Sequence, residues 1–207
     1  MRPLPRLFAM TTDSICRAPD FEVRATAIAA AGPAVALVVR APDSSGAQQA
    51  ALAERITELA RPAEAAVFVH ARPDLARAVA AEGVQLRLSD LAPGDARRVF
   101  GDGWIGRSVH SEAEAMAALD QGADYLVAGN IFETASHPGF PALGLSWLAG
   151  IAKLGRPVVA IGGITPGRAA QVRDAGAWGA AVIAAVWDAN DPEAAATALL
   201  APWTEED

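Results

Sequence analysis

Eight short apolar runs, separated by longer alanine-rich stretches of helical period, restrict how this chain can fold more than any other feature. They lie at 7–12, 35–40, 66–70, 84–86, 104–109, 125–129, 157–162 and 180–186. Runs that are apolar throughout mark strands buried on both faces, as in a parallel sheet covered by crossover helices. Eight such strands, each followed by a helix, are the number that closes a barrel. The expected architecture is an α/β fold, a (β/α)8 TIM barrel, as one domain over 1–207 with no internal linker.

Local signals support the alternation. Ser111, Glu112, Ala113 and Glu114 match a capping box, and Thr165–Pro166 places proline at a first helical position. Gly122 and Gly176 each read as a helix stop just before a strand. The stretch 129–145 is the longest irregular connection, rich in Gly and Pro, and loops of that length usually border a site.

Composition narrows the function classes. Hydrophobic residues make up 52% and charged residues 20%, enough for a sizeable core. A net charge of −7, with no basic block interleaved with aromatics, argues against nucleic-acid binding. One cysteine, Cys16, can make no internal disulfide, and no long apolar span suggests a membrane. A reducing cytoplasm is expected, and Cys16 has no neighbouring base to activate it.

In such barrels the ligand sits at the C-terminal ends of the strands, with phosphate often held after strands seven and eight. Gly162 and Gly163 follow strand seven and would let backbone N–H groups reach an anion, and Ala184 and Ala185 are similarly small. All three histidines fall at the same end: His70 closes strand three, His110 follows strand five, and His137 lies in the loop after strand six. That placement suits acid–base or anion-binding work, although a histidine satisfied by its loop, His110 above all, is the plain alternative. Arg40 closes strand two, where a guanidinium could face an anion or simply solvent. Asp90, after strand four, lacks the second carboxylate of a magnesium site and reads equally well as a turn cap.

The stretches 105–111 (IGRSVHS), 122–125 (GADY), 129–134 (GNIFET) and 159–164 (VAIGGI) together resemble the thiamine phosphate synthase and thiazole tautomerase family, in order from about Leu7 to Val186. The resemblance implies the barrel independently of periodicity. It also implies that Gly162, Gly163, Ala184 and Ala185 hold a thiazole phosphate, that Ser108, Thr134 and Ser136 line the thiazole pocket, and that Arg40 is the family's strand-two arginine.

The synthase branch holds magnesium diphosphate through carboxylates after strands three and four and a lysine after strand six. Here Ala71, His70, His137 and Pro42 stand where that branch has a carboxylate, an asparagine and two lysines, and only Asp90 remains. The stretches 106–111, 84–86 (with Gln85) and 132–134 look more like the tautomerase branch, which aromatises a thiazole carboxylate phosphate by moving a proton. Its acid–base histidine corresponds to Asn130, which cannot take up a proton at neutral pH.

The resulting expectation is a tautomerase-like isomerase with no metal and no cofactor, in which His70, His137 and Asn130 form the catalytic set. His70 is the preferred proton carrier and His137 the contact to the ligand's anionic groups. Arg40, Gln85, Ser108, Thr134, Ser136, Gly162, Gly163, Ala184 and Ala185 bind substrate. Two rivals stand beside it: a thiamine phosphate synthase joining thiazole phosphate to a pyrimidine diphosphate, and a non-catalytic binder of thiazole phosphate. The implied partner is a small phosphorylated thiazole, and a homodimer is left open.

Overall fold

The computed structural model describes residues 2–134, 139 and 141–204. Its strands are β1 (Leu7–Met10), β2 (Val35–Val39), β3 (Ala66–His70), β4 (Gly83–Leu86), β5 (Trp104–Val109), β6 (Tyr125–Gly129), β7 (Val158–Ile161) and β8 (Gly179–Val182). They pair in chain order, all parallel, and β8 returns to β1 through Leu7 opposite Ala180, which closes the barrel. The helices are α1 (Asp13–Arg17), α2 (Phe21–Ala29), α3 (Gly46–Ala60), α4 (Pro73–Ala78), α5 (Pro93–Phe100), α6 (Glu112–Asp120), α7 (Gly144–Ala152), α8 (Pro166–Asp174), α9 (Ala184–Trp187) and α10 (Pro192–Thr204). The expected TIM barrel is the observed fold.

The chain folds this way because the strands are apolar on both faces over most of their length, with His70 of β3, Gln85 of β4, and Arg107 and Ser108 of β5 as the exceptions. In β2, Ala36 and Val38 join the barrel interior while Val35, Leu37 and Val39 join the shell beneath the helices. The helices meet that shell through alanines, among them Ala25 of α2, Ala53 of α3, Ala115 of α6 and Ala169 of α8, all fully buried. Small side chains let the helix axes lie close to the strands, and a larger residue such as leucine there would cost roughly 1–3 kcal/mol of overpacking.

Helix ends follow the sequence signals with some shifts. The Ser111 hydroxyl accepts the Glu114 N–H, but the Glu114 carboxylate accepts from His110 N–H, one residue outside a reciprocal box. The complete capping box is at α3, between Ser45 and Gln48. Gly122 and Gly176 take φ of +90°, the stop conformation expected of them.

The expected eighth strand ran too far. It ends at Val182, and Ala184 and Ala185 open the short helix α9 instead of extending the strand. The apolar stretch 180–186 suits either structure, and the backbone leaves extended geometry at Ile183, with φ −119° and ψ −87°.

Inside the barrel Phe8, Phe68 and Tyr125 pack with ring centroids 5.1, 5.7 and 6.1 Å apart. All three are buried, and they plug the middle of the barrel. Gly106 makes room for them: a Cβ there would lie 2.1 Å from Cζ of Tyr125 and 2.5 Å from Oε1 of Gln85. The space above this plug, at the C-terminal ends of the strands, remains for a ligand.

Candidate functional site

Side chains alternate along each strand, so the inward set continues upward from the plug. It gives Met10 and Thr12 from the β1 end, Arg40 after β2, His70 on β3, Gln85 and Arg87 along β4, Ser108 and His110 from β5, Gly129 on β6, Ile161 on β7 and Ile183 after β8. These line a cavity of about 590 Å³ together with Leu88, Ser89 and Val127. A second cavity of about 410 Å³ adjoins it through His110, Gly129 and Ile161, and its further walls are Asn130, Pro141, Leu143 and Gly162.

The first cavity is cationic on its β2–β4 side. The Arg40 backbone is fixed by Thr11, whose hydroxyl accepts the Arg40 N–H at 2.8 Å. Asp13 ties the same loop down by accepting from Asp43 N–H and the Ser44 hydroxyl. Burial works against the ionised Asp13, but those hydrogen bonds and Arg17 hold its pKa below the ordinary carboxylate value. On the other side of His70, Asp90 accepts the Arg87 N–H at 2.7 Å and pairs with its guanidinium at 2.9 Å. Asp90 is thus a turn cap and the partner of Arg87.

His70 has a pKa pushed down to about 4, by burial first and then by the charges of Arg40 and Arg87. At pH 7 it is a neutral imidazole, able to donate or accept a hydrogen bond but a weak base. Gln85 is buried; its amide donates to Ser108 Oγ at 3.0 Å, while its Oε1 has no partner among the described residues.

The opposite rim is built from backbone. Gly162 and Gly163 have φ of +102° and +62°. The space a side chain would need is taken by the β6 loop: a Cβ on Gly162 would lie 2.4 Å from Asn130 Cβ, and one on Gly163 would lie 2.5 Å from the Glu133 carbonyl. Glycine is therefore required there to pack two loops together, a role separate from the anion approach expected of it. Among the described residues no loop hydrogen bond takes the N–H groups of Gly162 or Gly163. Ala184 and Ala185 sit at the first turn of α9, whose N–H groups have no intrahelical acceptor. Since Ile161 lies opposite Ala181, these two groups of donors flank each other at adjacent strand ends.

The barrel thus brings together Arg40, His70, Gln85 and Ser108 in one cavity, with Asn130 and Gly162 in the adjoining one. Asn130 follows a cis Gly129–Asn130 peptide. His110 borders both cavities, exposed, with its ring beside the Glu114 carboxylate at 3.3 Å. Gly163, Thr134, Ala184 and Ala185 line neither cavity. Ser136 and His137 lie outside the described residues. Arg87 was missed, although positions 83, 85 and 87 follow the two-residue period of an inward face.

The model for the family described as thiamine monophosphate synthase matches residues 7–186, nearly the whole barrel. The chain belongs to this family. It is 41% identical over 198 residues to the thiamine-phosphate synthase of Thermus thermophilus, covering 95% of this chain and 96% of that one. A thiamine-phosphate synthase of Chloroflexus aurantiacus is 38% identical over 198 residues, covering 95% and 91%. Among solved structures, thiamine phosphate pyrophosphorylase from Pyrococcus furiosus superposes with a TM-score of 0.82 at 33% identity, covering 97% of this chain and 96% of that one. Membership of the thiamine monophosphate synthase family supports a place in thiamine biosynthesis. Nothing in these matches singles out the tautomerase branch, and these relatives bear synthase or pyrophosphorylase names, so the matches favour the expected alternative, a synthase, over the isomerase.

The family resemblance implies a magnesium ion on the diphosphate. Among the described residues no group of three or more His, Cys, Asp or Glu could hold a metal ion. Asp90 spends both carboxylate oxygens on Arg87. This donor set does not fit a metal held by the protein. No helix among the described residues is long and apolar enough to cross a membrane.

Proposed function

We propose that this protein is a thiamine-phosphate synthase, a transferase that joins a phosphorylated thiazole to a pyrimidine diphosphate. The observation that carries this reading is the pair of adjoining cavities, cationic at the Arg40–Arg87 side and walled by the backbone of Gly129 and Gly162 on the other. Such a site suits two anionic substrates lying with their rings toward each other.

In this reaction the thiazole nitrogen forms a bond to the carbon bearing the diphosphate, the C–O bond breaks, and its electron pair leaves with the diphosphate. The charge that develops falls on the leaving oxygens, where fixed cations lower the barrier most. Backbone donors at Gly162, Gly163, Ala184 and Ala185 anchor the thiazole phosphate, as the family resemblance implies, and Ser108 with Gln85 orients a ring. No residue must carry a proton to or from the ring carbon, which agrees with Asn130 and with a neutral His70.

The test is incubation of the full chain with both substrates, following diphosphate release and the mass of the joined product. Absence of product with both substrates bound would sink the reading. A second reading, an isomerase of a thiazole carboxylate phosphate, is favoured by the shortage of carboxylates beside Arg40. Its signature is turnover of that single substrate, impaired by His70→Gln.

A further inference from the structure

We propose that Arg87 joins Arg40 to bind the diphosphate group directly, as a guanidinium pair in place of a clamp built on a protein-held metal. The identity of the ligand rests on the transferase reading; the anion chemistry does not.

Arg40 and Arg87 approach the cavity from opposite sides of His70, and both act electrostatically on that imidazole. Among the described residues the Arg40 side chain has no hydrogen bond or ion pair, so its donors are free. Arg87 is held from behind. Its partner Asp90 has a side chain 9% exposed, whereas that of Arg87 is 52% exposed. The carboxylate therefore sits under the guanidinium and leaves part of it open. Arg107 holds the loop itself: this 6% exposed side chain donates to the Leu88 and Leu91 carbonyls at 2.9 and 2.8 Å.

A planar guanidinium matches phosphate oxygens bidentately, and one oriented beforehand loses less freedom on binding. The same arrangement disfavours a metal cation. Two arginines face the site, and the Asp90 carboxylate beside Arg87 is already neutralised. Ala71, next to His70, adds no charge.

The experiment is calorimetric titration of the full chain with inorganic pyrophosphate in the presence of EDTA. Wild type is expected to bind saturably. Arg87→Gln and Arg40→Gln should each weaken binding at least about tenfold, the scale of one lost charge-assisted contact. Arg156→Gln, at the opposite end of the barrel beside Trp178, should leave it unchanged. Added magnesium should not restore Arg87→Gln. Wild-type affinity in Arg87→Gln, or binding by wild type that begins only when magnesium is added, overturns the proposal. Pyrophosphate binding without product formation counts against the transferase reading instead, and leaves the guanidinium pair standing.

Discussion

The side-chain amide of Gln85 donates to the Ser108 hydroxyl at 3.0 Å, linking β4 to β5 across the floor of the cavity. The other end of that amide, Oε1, is buried without a partner among the described residues. An unsatisfied buried acceptor costs about 1–3 kcal/mol, so a chain selected for stability alone would not keep it. Gln85→Leu is expected to leave the melting temperature unchanged or raised while increasing KM for the ring-bearing substrate about tenfold, about 1.4 kcal/mol of lost binding. Thermal melts and initial rates on one preparation check this, and an unchanged KM would remove Gln85 from the binding set.

His70 links the site to pH. Its folded pKa of about 4 lies below the ordinary 6.5, so an unfolded chain takes up its proton first as acid is added. The stability this imidazole contributes is complete above pH 6.5 and is lost as pH falls toward 4, by at most about 3 kcal/mol. His70→Gln should flatten the denaturation free energy across that interval. An anion bound between Arg40 and Arg87 should also move the His70 imidazole resonances to a higher pKa, because it offsets both cations. A titration insensitive to pyrophosphate would show that the anion binds elsewhere.

Arg107 itself lines neither cavity, yet it holds two carbonyls of the loop that carries Arg87 and Asp90, one of them that of the wall residue Leu88. Burial lowers its pKa, with Asp90 partly offsetting that effect. Arg107→Met should raise KM for the diphosphate substrate severalfold while KM for the thiazole phosphate stays put, and Arg107→Lys should recover part of the loss. Equal changes in both KM values, or none, would mean the loop is held without it.

Gly162 is wedged against Asn130, and its φ is positive. Gly162→Ala combines a steric clash with a disfavoured backbone, and should destabilise the fold by about 1–3 kcal/mol. Urea denaturation measures the loss; a midpoint equal to wild type would show that the β6 and β7 loops part easily.

The strands are readable because residues buried on both faces give largely apolar runs, and their order then implies the barrel. Gly162 and Gly163 were readable as special, but not why: the Asn130 and Glu133 atoms that exclude a side chain there belong to a different loop. Ala184 and Ala185 were misplaced because alanine and valine suit helix and strand alike. Arg87 is hidden from a search for apolar runs because the β4 run ends at Leu86, although the inward alternation continues one residue further. Asp90 as the partner of Arg87 was half visible in the three-residue spacing of an acid and a base.

The ring cluster of Phe8, Phe68 and Tyr125 turns the upper barrel into a blind well. Whatever binds must enter and depart over one rim, past His110 and the β4 and β6 loops. On the transferase reading, both substrates come in and the joined product goes out through that same mouth, so one turnover has to clear it before the next begins.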